Sequence, residues 1–291
     1  MPTPRELIEQ GVRYETGGVL DRALTSYREA ADTADGDPRS RSEALRREAD
    51  VLRSHCQWDV AIARAQESAA QARVHGFDTL LAEALNAEAA VHQSLSDFDR
   101  AQVLYDEMLD ITDDLRIRGI ALQNLGSIAA IRGDFLAAEE RFVESFQCFQ
   151  AGGYSRGVVF ALNNYGRAAL DRGADAVAHP ILDRAEALAR ELMDLDLLAI
   201  VRLNLAESFS RRGEIDRAQD LASAALGYFG NTNNHWRRLE CLRLMGDIAL
   251  VQNQPESARN FFEAALRLAD DVGAVLEAET LKQRIGLLQP A

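Results

Sequence analysis

The chain has 291 residues, 47% hydrophobic but only 7% aromatic, with 46 acidic against 32 basic side chains and a formal charge of −14. That balance argues against direct nucleic-acid binding, because an acidic surface repels phosphate backbones, and it suits a partner with basic segments. No run approaches eighteen apolar residues, the start MPTPRELIEQ lacks a basic segment followed by an apolar core, and Cys56, Cys148 and Cys241 form neither a metal pattern nor a disulfide set. The expectation is a cytoplasmic protein with no membrane span, no signal peptide and ordinary thiols.

From the first residues onward a Gly or Ala is followed twelve positions later by an Ala: Gly11/Ala23, Ala49/Ala61, Ala89/Ala101, Gly126/Ala138, Gly166/Ala178, Ala206/Ala218 and Gly246/Ala258. The first members step by 38, 40, 37, 40, 40 and 40 residues, and Gly286 lies forty beyond Gly246. Self-similarity at this period marks a repeat array, each unit burying its apolar face against its neighbours. Antiparallel helices approach closely only where both present small side chains. Four residues after each Ala stand Tyr27, Ala65, Tyr105, Phe142, Leu182, Ala222 and Phe262, and seven after it Ala30, Ser68, Met108, Ser145, Ala185, Ala225 and Ala265. This i, i+4, i+7 spacing is one helical stripe. Between the members of most pairs lies a turn signal (Gly18, Ser96, Gly133, Gly173, Gly213 or Asn253), read as a cap ending the first helix.

The predicted fold is an all-α solenoid filling 1–291 as a single domain, with helix pairs near 4–36, 39–76, 78–115, 117–153, 155–193, 195–232 and 234–272, and a capping helix at 274–288. At the N-terminus Leu7, Ile8 and Val12 have no preceding helix, so they are partly exposed or covered by another molecule, which allows a homo-oligomer through this helix. Asp32, Asp35 and Asp37 around Gly36 read as a turn, since the spacing and distal Glu of a calcium loop are wrong. Arg46, Arg47, Asp50 and Arg53 form a charged stripe that pairs internally. Asp97 and Asp134 read as N-caps. Pro180, six residues into its helix, should kink it or shorten its first turn. In the last segment Leu276, Leu281, Ile285 and Leu288 are expected to cover the seventh pair, leaving Glu277, Glu279, Lys282, Gln283 and Arg284 in water.

The stretches LQNLGSIAAIRGDFLAAEERF, LNNYGRAALDRGADAVAHPIL and LRLMGDIALVQNQPESARNFF carry a resemblance to the tetratricopeptide repeat. It covers essentially the whole chain, in a longer version than the usual period of about 34 residues. Longer repeats are typical of kinesin light chains, spindle-orientation adaptors, bacterial peptide-pheromone receptors and the C-terminal arms of maltose-regulator-like transcription factors. The resemblance implies a right-handed superhelix whose first helices line a concave groove for peptides or proteins, without catalysis. Ala49 and Ala89 depart from the pattern by replacing glycine, as do Cys56 and Ser96 at the turns.

Asn124, Asn164 and Asn204 each stand two residues before the small residue of their repeat, forty apart. Two helical residues rotate about 200°, so these amides point away from the partner helix of their own pair. An amide offers one acceptor and two donors, enough to pair with both polar groups of an extended backbone. Asparagine ladders of this kind occur in the long repeat families that the chain resembles. Asn163, Gln123 and Asn86 widen the row, and Arg167, Glu207, Arg243 and Asp247, with Ser127, are the candidates for side-chain specificity. The other reading of the amides is that they tie adjacent repeats together. No zinc-helix histidine pair, phosphate loop or nucleophile elbow is present, so neither catalytic residues, metal nor cofactor are expected. The leading function is a noncatalytic protein- or peptide-binding module. The alternatives are a ligand-responsive regulatory arm acting on another chain and a self-assembling scaffold.

Overall fold

The computed structural model describes residues 2–232 and 234–288, and these form fifteen α-helices and no strand. In order they are α1 (Pro4–Thr16), α2 (Leu20–Thr33), α3 (Pro38–Ser54), α4 (Trp58–His75), α5 (Asp78–Ser94), α6 (Phe98–Ile111), α7 (Leu115–Ile131), α8 (Phe135–Ala151), α9 (Ser155–Asp171), α10 (Asp175–Glu191), α11 (Leu195–Arg211), α12 (Ile215–Gly230), α13 (His235–Val251), α14 (Pro255–Asp271) and α15 (Val275–Leu287). They divide into two compact units, Met1–Gly133 with Gln147–Tyr154, and Asp134–Phe146 with Ser155–Ala291. In the first unit α1, α3, α5 and α7 pack successively on one another, as do α9, α11 and α13 in the second. Backbones of successive second helices, such as α4 and α6, stay further apart and are bridged by long side chains such as Arg73 to Glu107 (2.5 Å). First helices therefore form the inner layer of each unit.

The turn inside every repeat closes on one residue in the left-handed region: Gly18, Cys56, Ser96, Gly133, Gly173, Gly213 and Asn253, with φ between 56° and 80°. Only glycine enters this region without steric cost. Cys56 and Ser96 are therefore strained, and so is Met193 (φ 53°), which is 85% exposed at a turn between repeats. Comparable turns use Gly36, Gly76, Gly153 and Gly273. Replacing Cys56 or Met193 by Gly is expected to raise stability by about 0.5–1 kcal/mol each, read as a higher thermal midpoint. Gly213→Ala should shift the midpoint the other way.

The stripe read from spacing is the core: all seven side chains four after the repeat alanine, and all seven that follow seven after it, are buried. The small residues have a definite partner. A Cβ on Gly11 would lie 2.3 Å from the Tyr27 ring, on Gly166 2.5 Å from Leu182, and on Gly246 2.3 Å from the Phe262 ring. Where alanine replaces that glycine, as at Ala49 and Ala206, the residue sixteen further on is Ala65 or Ala222. Helix separation is kept by trading volume across the contact. Ala89 with Tyr105 is the exception, and the Tyr105 hydroxyl donates to Gln93 Oε1 (3.0 Å).

Local caps follow the sequence. Asp37 and Asp97 accept from the backbone N–H of Ser40 (3.1 Å) and Arg100 (3.3 Å), and Asp134 from that of Ala137 (3.1 Å). Three expectations need correcting. Leu7 and Ile8 are buried in one core cluster with α2 and α3, so the subsequent helices cover them and no second molecule is needed. Leu276 is 81% exposed; Ala278 and Leu281 are the buried side chains of α15, with Ile285 and Leu288 packed beside them. Glu277 and Arg284 do not simply face water, but pair with α13. Apart from these, α10 is assigned as one helix from Asp175 to Glu191 with Pro180 inside it.

Candidate functional site: the face of the first helices

Within each unit every first helix packs on at least one other first helix, which decides where its polar side chains go. Asn204, two residues before Ala206, is buried and its Nδ2 donates to Asn163 Oδ1 of the preceding repeat (2.8 Å). Asn163, also buried, donates to Asn164 Oδ1 (3.2 Å). A rotation of about 200° from the partner helix thus aims at the neighbouring first helix rather than at an open surface. Asn163 and Asn204 join repeats, whereas Asn124 and Asn164 are half-buried.

In the first unit the residues three before the small position behave differently. Asn86 on α5 and Gln123 on α7 are half-buried, and their carbonyl oxygens Oδ1 and Oε1 are buried without a hydrogen-bond partner. A buried acceptor left unpaired costs about 1–3 kcal/mol. Beside Asn86 an ion-pair row crosses the helices: Arg46 to Asp50 (3.0 Å), Arg46 to Glu83 (3.5 Å) and Arg116 to Glu83 (2.9 Å). The Ser127 hydroxyl is turned inward, donating to the carbonyl of Gln123 (3.0 Å).

In the second unit Arg167 binds Asp171 through two nitrogens (2.7 and 3.1 Å) and Glu207 of the next repeat (2.7 Å), and Arg211 also holds Glu207 (2.5 Å). Arg243 pairs with Glu277 (3.2 Å), and Arg284 with Asp247. The four residues expected to read a partner's charges are therefore neutralised within the protein. Burial acts against the Glu207 carboxylate, but Arg167 and Arg211 outweigh it and hold this carboxyl below its usual range. Burial raises Asp247, only partly opposed by Arg284 and Arg243. Because the folded pKa of Glu207 is depressed, its stabilisation is present above about pH 4.5 and is lost as pH falls through the folded value. Glu207→Gln should accordingly lower stability at neutral pH and flatten the acid limb below pH 4.5, measured by urea titrations at stepped pH.

Sequence reasoning did not single out Glu83 or Arg116, and it left Glu277 and Arg284 in water instead of pairing them with α13. The signal was available in the register, since Arg167 and Glu207 stand at the same position of adjacent repeats. The first helices offer amide hydrogen bonding and balanced charge. Among the described residues no group of three or more His, Cys, Asp or Glu is placed to hold a metal ion, and no helix is long and apolar enough to cross a membrane. Burial, with Glu240 beside it, pushes the Cys241 thiol up to about 12, so at neutral pH it stays a packed thiol.

No protein-family model matches the sequence, and no curated protein matches it. Solved structures do. The chain is similar to a tetratricopeptide repeat protein from Parabacteroides merdae, at a TM-score of 0.62 and 18% identity over 98% of each chain. It is similar to the apo form of the quorum sensor NprR from B. thuringiensis, at 0.75 and 12% identity over 91% of this chain and 77% of that one. A Rap protein complexed with competence and sporulation factor matches at 0.64 and 16% identity, over 98% of this chain and 74% of the other. The chain is thus an all-α helical-repeat protein with the tetratricopeptide type of fold.

Proposed function

We propose that this chain is a noncatalytic binding module that holds an extended peptide or protein segment against its first helices, in the interior of the cell. The observation that carries this reading is the pair of buried, unpartnered carbonyl oxygens of Asn86 and Gln123 on successive first helices. Turned outward from these unpartnered positions, the two amides would pair with backbone N–H and C=O groups of a bound segment, whatever its side chains. Asn124 belongs to the same face of the first unit; in the second unit Asn164 stands on the first helices, where Asn163 and Asn204 brace adjacent repeats. Arg167, Glu207, Arg243 and Asp247 stand on the first helices of the second unit as internally paired ions. The formal charge of −14 favours a segment with basic residues. The Rap protein complexed with competence and sporulation factor supports the reading, as one chain of this fold with a bound factor.

The test is affinity capture from native lysate, comparing wild type with an Asn86→Ala, Gln123→Ala, Asn124→Ala variant of matched thermal stability. A partner kept by wild type and lost by the variant supports the face; one kept equally by both places binding elsewhere. A second reading, a ligand-responsive regulatory arm, is favoured by the likeness to NprR, a quorum sensor. It requires that adding the captured ligand change the affinity for a second protein, and an unchanged affinity removes it.

A further inference from the structure

A cavity of about 220 Å³ opens between the second helices α4 and α6 of the first unit, and Glu88 of α5 lines it beside apolar Leu85 and Leu104. One liquid water occupies about 30 Å³, so the space suits the head of a long side chain. Glu88 is only 3% exposed, and its neighbours all meet the same oxygen. Gln66 Nε2 donates to Oε1 (2.9 Å), Arg100 Nη2 reaches Oε1 at 3.4 Å, and His92 Nε2 stands 3.8 Å from it. Among the described residues no group donates to Oε2, and this oxygen is not shut off from solvent. One repeat earlier the same position is compensated on both oxygens: Glu48 has Arg28 at Oε1 (2.9 Å) and Arg64 at Oε2 (3.4 Å). In register, Gln66 stands where Arg28 does, five residues after the repeat alanine, and Leu104 where Arg64 does, three after it. The guanidinium that would face Glu88 Oε2 is thus replaced by an apolar side chain, and that side chain lines the cavity.

Arg73 and Arg100 also border the cavity, but they keep 56% and 49% of their side chains in water, and Arg73 is held by Glu107 (2.5 Å). Their charges are screened by solvent, whereas that of Glu88 is buried at the wall and only partly compensated. We infer that this cavity binds a guanidinium group, which donates to Glu88 Oε2 and lays its apolar stem against Leu85 and Leu104. A neutral amide would leave the carboxylate charge as it stands, and a second carboxylate would be repelled by it. An ammonium is a compact, strongly hydrated charge, while the guanidinium is planar, more weakly hydrated and suited to a partly buried carboxylate. The site lies on the second helices, apart from the first-helix face proposed above. An arginine side chain of a partner protein and a free small guanidinium compound are the two sources of this chemistry.

The experiment uses the full ¹⁵N-labelled chain and follows the Gln66 side-chain amide and the Leu104 backbone amide by NMR at constant ionic strength. The probes are methylguanidinium and capped pentapeptides Ala-Ala-X-Ala-Ala, with X as arginine, lysine or citrulline, the last being the neutral isostere of arginine. The expected result is saturable shifts of both signals by the arginine peptide, with at least tenfold weaker binding of the lysine and citrulline peptides. Glu88→Gln should lower the affinity for the arginine peptide tenfold or more. Gln66→Arg, at an exposed position that tolerates the change, supplies a guanidinium from within and should lower that affinity by a similar factor, read at Leu104. Saturation by methylguanidinium with no gain from the arginine peptide supports the site and assigns its source to a small molecule. Equal binding of the arginine and citrulline peptides or of the arginine and lysine peptides, an unchanged affinity in Gln66→Arg, or no saturable shift with any probe would overturn it. The Asn86→Ala, Gln123→Ala, Asn124→Ala variant should bind the arginine peptide as wild type does, which separates the failure of this site from that of the first-helix face.

Discussion

Phe262→Ala is expected to cost about 3–5 kcal/mol, and Gly246→Ala about 1–3 kcal/mol, while the two together should cost clearly less than their sum. Phe262 is fully buried, and its ring occupies the place that a Cβ on Gly246 would take, 2.3 Å away. Truncating the ring opens a cavity between α13 and α14, and adding the methyl alone forces the ring off its packing. Making both changes lets the methyl enter the vacated volume, which reproduces the alanine pairs Ala49/Ala65 and Ala206/Ala222 of other repeats. Gly286 provides the control: a Cβ there meets nothing within 4 Å, so Gly286→Ala should be neutral or slightly stabilising. Urea unfolding of the five proteins, with hydrogen exchange on α13 and α14, measures the coupling. Strict additivity would show that glycine and ring do not share one space.

The second large effect concerns a carboxylate. Glu48 on α3 is 1% exposed, held by Arg28 of α2 (2.9 Å) and Arg64 of α4 (3.4 Å). The arginines keep 48% and 40% of their side chains in water, whereas Glu48 has almost none. Removing both arginines therefore leaves a buried charge uncompensated, and Arg28→Ala with Arg64→Ala should cost about 3 kcal/mol. Glu48→Met alone leaves only cations that water can solvate, and should cost about 1 kcal/mol or less. Adding Glu48→Met to the double variant should restore most of the loss, seen as recovered hydrogen-exchange protection of α3. A double variant as stable as wild type would mean that the arginines do not compensate this charge. Glu88 stands forty residues on in the same register, buried and within reach of Gln66 (2.9 Å) and Arg100 (3.4 Å). The first unit thus uses this position twice.

The sequence by itself determined the periodic part of this protein. The twelve-residue spacing of small residues, the buried stripe four and seven residues beyond and the left-handed turns are all set within one helix pair, where 3.6 residues per turn fixes which side chains meet. Seven similar solutions then repeat along the chain. Tertiary structure decided what lies sideways from each pair. It turned Asn204 onto Asn163, joined Arg167 to Glu207, covered Leu7 and Ile8, exposed Leu276 and left Asn86 Oδ1 and Gln123 Oε1 unpartnered. A helical wheel shows that a residue points away from its own partner helix, but not whether a neighbouring first helix stands there. That depends on how closely adjacent repeats approach and on the reach of individual side chains, both set by contacts between residues about forty positions apart.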